Sequence, residues 1–105
     1  MDISEKEKSI IELMHLLTKR QEQFLMMYFG LGEQTQTSIE EIGEIFDLTK
    51  EEVIETKDEG IREFIKLIAS TGILGDKQND FSDEFIKSTD SEFLDNFMTK
   101  FIGSN

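Results

Sequence analysis

Ahead of five apolar stretches with helical spacing, this chain places Ser or Thr three residues before Glu or Gln. The pairs are Ser4 and Glu7, Thr18 and Gln21, Ser38 and Glu41, Thr49 and Glu52, and Thr89 and Glu92. Each fits a capping box, in which the hydroxyl and the carboxylate or amide satisfy backbone N–H groups that a helix start leaves unpaired. Apolar residues at helical spacing follow each pair, and the sequence contains no proline to interrupt them. The chain is therefore expected to be all-α. The spacing predicts helices over about 4–17, 19–29, 39–46 and 50–70, with one or two more over 81–102. Inward positions are Ile10, Ile11, Met14 and Leu17 on the first, and Ile39, Ile42, Ile45 and Phe46 on the third. The fourth turns Val53, Ile61, Phe64, Ile65 and Ile68 inward. Gly30 and Gly32 stop the second helix, and Gly72 and Gly75 the fourth.

Length and composition exclude several classes of function. With 105 residues the chain holds one modest core. No apolar run reaches membrane-spanning length, and the N-terminus lacks the basic start and apolar core of a secretory signal, so the expected location is the cytoplasm. There is no cysteine and one histidine, His15, expected at a core edge with no chemical role. No metal cage, nucleophile with a base, or phosphate-binding glycine loop is present in the pattern. The chain reads as a non-enzyme that needs no cofactor and holds no metal.

Net charge is −12, which opposes binding to DNA, RNA or an anionic membrane unless the cations cluster. They do not: residues 33–49 carry five acids and no base, and residues 50–68 carry six acids and four bases. Gly43, Leu48 and Thr49 supply the close approach, the buried plug and the cap that a tight corner between two helices requires. That corner, with a longer second helix, describes a helix-turn-helix.

The wider pattern comprises Leu17, Thr18, Arg20, Gln21, Glu22, Phe24 and Leu25, then Tyr28, Phe29, Gly30, Leu31 and Gly32. It continues with Ser38, Ile39, Glu40, Glu41, Ile42, Gly43, Phe46, Leu48, Thr49, Glu51 and Val53, and closes on Gly60, Ile61 and Arg62. It resembles region 4 of the sigma-70 family, the domain that reads the −35 promoter element and docks on the flap of the RNA polymerase β subunit. The resemblance covers about half the chain. It implies a region 4-like helix-turn-helix bundle over 1–70, with an extra N-terminal helix outside the match; past it, composition shifts to a linker over 71–80 and the apolar spacing gives an amphipathic helical extension over 81–105. It also implies a free-standing small protein, such as one half of a phage-type split sigma factor or a co-activator.

The departures from that pattern fall on the reading helix. Lys50 keeps a cation and Glu51 keeps the carboxylate that accepts from cytosine. Where the family places Arg, Arg, Gln and Lys, this chain has Glu52, Ile54, Glu55 and Glu59. Each lost charge-assisted contact costs about 1.5–3 kcal/mol before any repulsion is counted. If DNA contact is retained, it rests on Lys50, Glu51, Ile54, Lys57 and Arg62. The resemblance places the polymerase-docking groove on the first three helices, at Phe24, Met27, Tyr28, Phe29, Leu31, Ile39 and Ile42. The extension carries an apolar face of Phe93, Leu94, Phe97, Met98, Phe101 and Ile102, which either completes the core or docks a partner. Three readings stay open. One is a polymerase-binding factor acting with a second sigma-like polypeptide or as a co-activator, with promoter DNA weakly bound or not at all. The others are a DNA-binding regulator and an acidic anti-sigma or DNA-mimicking inhibitor.

Overall fold

The computed structural model describes residues 5–32, 35–71 and 82–103, with side chains from Lys8 onward. The capping pair Ser4–Glu7, the linker from residue 72 and the expected stops Gly72 and Gly75 lie outside the described residues. Among the described residues six helices follow in order: α1 (Glu5–Met14), α2 (Lys19–Phe29), α3 (Ile39–Phe46), α4 (Lys50–Thr71), α5 (Asp83–Lys87) and α6 (Ser91–Gly103). The fold is an all-α bundle, and no described helix is long and apolar enough to cross a membrane.

The capping chemistry accounts for where most helices begin. Gln21 N–H donates to Thr18 Oγ1 at 3.2 Å while Thr18 N–H donates to Gln21 Oε1 at 3.3 Å. Thr49 and Glu52 make the same reciprocal pair at 3.1 and 2.9 Å. Ser38 Oγ accepts from Glu41 N–H at 3.1 Å. The expected cap at Thr89 is not one. Asp90 starts α6 by accepting from Phe93 N–H at 2.9 Å, and a carboxylate there also suits the helix dipole. Thr89 is buried and turns its hydroxyl back to the Ile86 carbonyl. α1 likewise ends at Met14, not Leu17, and His15–Leu17 form a tight turn.

α4 is the spine of the bundle, and it packs against every other helix. Its predicted inward residues, Val53, Ile61, Phe64, Ile65 and Ile68, are all buried. They serve two apolar clusters. The larger unites Ile10, Met14, Leu25, Leu31, Ile61, Phe64, Ile65 and Ile68 with Ile86, Leu94 and Met98 of α5 and α6. The smaller holds Phe24, Ile42 and Val53 inside the helix-turn-helix corner, with Phe46 and Leu48 packed on it. The extension thus folds back and completes the core.

Two glycines explain how closely the helices approach, and they respond differently to a methyl group. A Cβ on Gly43 would lie 2.9 Å from the Leu48 carbonyl oxygen, which is backbone and cannot give way. On Gly60 it would meet Leu25 side-chain atoms at 3.5–3.6 Å, an ordinary contact. Gly60→Ala is therefore expected to raise stability by about 1 kcal/mol, the helix-propensity difference. Gly43→Ala is expected to lower it despite the same gain. Urea denaturation of the two variants checks the opposite signs.

Ile45 departs from expectation, because it is 60% exposed instead of inward. The inward face of α3 is Ile39, Ile42, Gly43 and Phe46. At a helical turn angle, Ile45 falls roughly 110° from the centre of that face.

Candidate functional site

α2 and α3 pack together and leave apolar side chains bordering openings on both sides of their contact. The Phe24 and Phe46 rings lie 4.6 Å apart between centroids, tilted by 36°, and Arg20 lies over both at 5.8 and 5.7 Å. Beside them an open recess of about 290 Å³ is lined by Gln23, Met26, Met27, Ile45 and Phe46. On the other side a cleft of about 620 Å³ runs between the end of α2, the start of α3 and α6. Tyr28, Phe29 and Ile39 line it, together with Lys50, Asp95 and Thr99.

The seven residues that the resemblance implies for docking therefore divide. Phe24, Leu31 and Ile42 are fully buried and hold the fold. Met27, Tyr28, Phe29 and Ile39 are half-buried and border the openings. Met26 and Ile45, absent from that set, join them. Both belong to helical faces adjacent to the core stripe, and an isoleucine off the inward face of a short helix was the available signal.

The implied DNA-contact residues divide as well. Lys50, Glu51, Glu52, Glu55 and Glu59 are exposed, and Ile54 is half-buried. Lys57 is only 2% exposed and lies inside the bundle. Its ammonium donates to Asp95 Oδ1 at 2.8 Å and pairs with Asp58 Oδ1 at 2.9 Å, with the Tyr28 ring centroid 5.1 Å away. Tyr28 Oη donates to the other Asp95 oxygen at 2.9 Å, and Ser91 Oγ donates to Asp58. Arg62 is turned onto the α5–α6 corner and donates to the Thr89 carbonyl at 2.7 Å. Two of the three cations offered for DNA are thus committed within the chain. A cation among apolar positions, with Val53 and Ile61 four residues to either side of Lys57, was the overlooked sign of a buried pair.

On the extension, Leu94 and Met98 are fully buried in the chain's own core. Phe97, Phe101 and Ile102 pack against the same cluster, and Phe93 is half-exposed. Phe85, Phe93, Phe97 and Phe101 form a ladder at centroid spacings of 5.5, 6.4 and 5.9 Å. His15, expected at a core edge, is exposed and pairs with the Glu22 carboxylate.

The buried network dictates an alkaline response. Burial alone works to lower the Lys57 pKa, but hydrogen bonds to Asp95 and Asp58 and their charges outweigh it, so the net displacement is above 10.5. Burial and then the hydrogen bond to Asp95 hold the Tyr28 phenol above 10.0. Both groups bind their protons more tightly folded than unfolded, so the folded state holds more protons in that window and stability falls as pH rises. Their contributions are intact below the ordinary values and are lost as pH climbs through the folded ones. Glu52 acts oppositely. Hydrogen bonds to the Thr49 backbone and side chain hold its carboxyl below 4.5. That contribution is present above 4.5 and disappears as pH falls through the lowered value. The urea midpoint is expected to be flat between about pH 8 and 10 and to fall above that range, followed alongside tyrosinate absorbance.

A comparison with protein-family models finds no match to the chain, and a comparison with solved structures finds none either.

Proposed function

We propose that this chain is an RNA polymerase-binding transcription factor of the cytoplasm. It is a region 4-like module that docks on the β flap through the α2–α3 surface, with promoter DNA weakly bound or not bound. The observation that carries the reading is the apolar surface of Met26, Met27, Ile45 and Phe46 beside the Tyr28–Phe29–Ile39 cleft. Exposed apolar residues grouped around a recess suit a protein contact, and methionines adapt to a partner's shape. The helix-turn-helix corner supports it too, since Gly43, Leu48 and Thr49 sit where a reading helix is set against its scaffold. Weak DNA contact follows from the charges: Glu51, Glu52 and Glu55 face solvent while Lys57 and Arg62 are engaged inside. The chain then acts with a second sigma-like polypeptide or as a co-activator.

The test is a pull-down of core polymerase by the tagged protein, with the intact enzyme and with the flap tip deleted. Retention by the first and loss with the second is expected. No retention on intact core enzyme would overturn the reading. The exposed acids favour one other reading, a DNA-mimicking inhibitor, which instead binds free sigma and represses. Salt-dependent shifts of duplex DNA at low salt would favour the DNA-binding regulator.

A further inference from the structure

α6 lies in a trough formed by α1, α2 and α4, in the place a bound helix would take. Leu94 and Met98 fill its floor, and Phe101 meets Phe64 edge-on at 6.0 Å. Along one side Asp95 receives hydrogen bonds from Tyr28 and Lys57, and Ser91 donates to Asp58. Leu94, Met98 and Phe101 are spaced i, i+4 and i+7, with the carboxylate at i+1. This is the pattern by which a groove reads an amphipathic helix.

We propose that α6 is a self-ligand of this trough, replaced when the protein docks by a partner helix with the same pattern of three apolar anchors and one carboxylate. The proposal rests on the docking reading above and adds its regulation: α6 walls one side of the Tyr28–Phe29–Ile39 cleft through Asp95 and Thr99, so the cleft widens when α6 leaves. Three features carry it. First, the Phe24–Ile42–Val53 cluster contains no residue of α5 or α6, so the helix-turn-helix corner keeps its own core when the trough empties. Second, opening orphans no charge, because Lys57, Asp58 and Asp95 all regain water on separation, whereas removing one partner in place would strand the others. Third, an empty trough uncovers Phe64, which Phe101 meets, and the part of the larger cluster that Leu94 and Met98 fill, an apolar patch that demands an apolar occupant. Charge chooses among occupants, since Lys57 at the trough edge selects a helix bearing an acid beside its first anchor.

The experiment uses the full chain, wild type and Asp95→Asn, with hydrogen exchange read helix by helix. In the wild type, α6 amides are expected to exchange about tenfold or more faster than those of α2 and central α4. Asp95→Asn should speed α6 about tenfold further and leave α2 and α3 unchanged. A labelled synthetic peptide of this chain's residues 88–103, which keeps Asp95, is expected to bind the variant about tenfold more tightly than wild type, because the variant's own helix competes less. One common exchange rate for α6 and α4 in the wild type overturns the proposal, as does equal peptide affinity for both proteins. On core polymerase, α6 should lose protection. Retention with α6 still protected overturns the proposal and keeps the docking reading. No retention removes the docking reading, and the peptide comparison then decides the self-ligand alone.

Discussion

Lys57→Met is expected to destabilise the protein by about 3–5 kcal/mol, the cost of removing one member of a buried charge pair. Methionine matches the lysine stem in length, so the loss is electrostatic and not a cavity. It leaves Asp58, 8% exposed, and Asp95 facing each other across a site that no longer holds a cation. Asp95→Asn is expected to cost much less, about 1 kcal/mol, because the Asp95 side chain is a third exposed, the amide oxygen still accepts from Lys57, and the amide NH2 can donate to the Tyr28 hydroxyl in place of the bond it accepted. Urea denaturation at neutral pH measures both. If Lys57→Met fell within about 1 kcal/mol of wild type, the two carboxylates would have to be reaching water, and the network could not be pinning α6. The effect concerns stability alone, because a lysine inside the bundle offers no cation to DNA phosphates.

The lysine also marks where the sequence could be read and where it could not. α2, α3 and α4 begin where their capping residues place them, because a Thr or Ser three residues before Gln or Glu is a local signal. At Thr89 the same signal failed. Asp90 next to it is a stronger acceptor, and the buried hydroxyl was needed by the Ile86 carbonyl and by Arg62. The inward stripe of α4 was legible from its spacing. Lys57, which shares that stripe, is expected from the resemblance to face DNA, but its register puts it, with Asp58, inside the bundle. Their partners Asp95 and Ser91 lie 38 and 33 residues away. Nothing local pairs α4 with α6, so the latch had to come from the packing. The proposed docking surface was half visible. The region 4 pattern points to α2 and α3, but which of their apolar residues are buried depends on the helix-turn-helix corner and on α6, and both are tertiary.

Ile45→Asp is expected to abolish retention on core polymerase while leaving the fold intact. Ile45 is 60% exposed, so a carboxylate there faces water in the free protein and costs little. In a complex the same position lies at the lip of the recess formed by Met26, Met27 and Phe46. A partner closing over it would have to desolvate the new charge beside Glu41 and Glu44, one turn and one residue away on the same acidic helix. Anchors at the centre of an interface are worth about 2 kcal/mol or more, so a loss of about 30-fold or greater is expected at this site alone. Leu16→Asp is the matched control, since Leu16 is equally apolar and 64% exposed but does not line the recess. Retention of Ile45→Asp at the wild-type level would remove α3 from the docking surface. Equal loss in both variants would assign the effect to added negative charge on a chain that already carries −12, because only a position-specific loss identifies a contact.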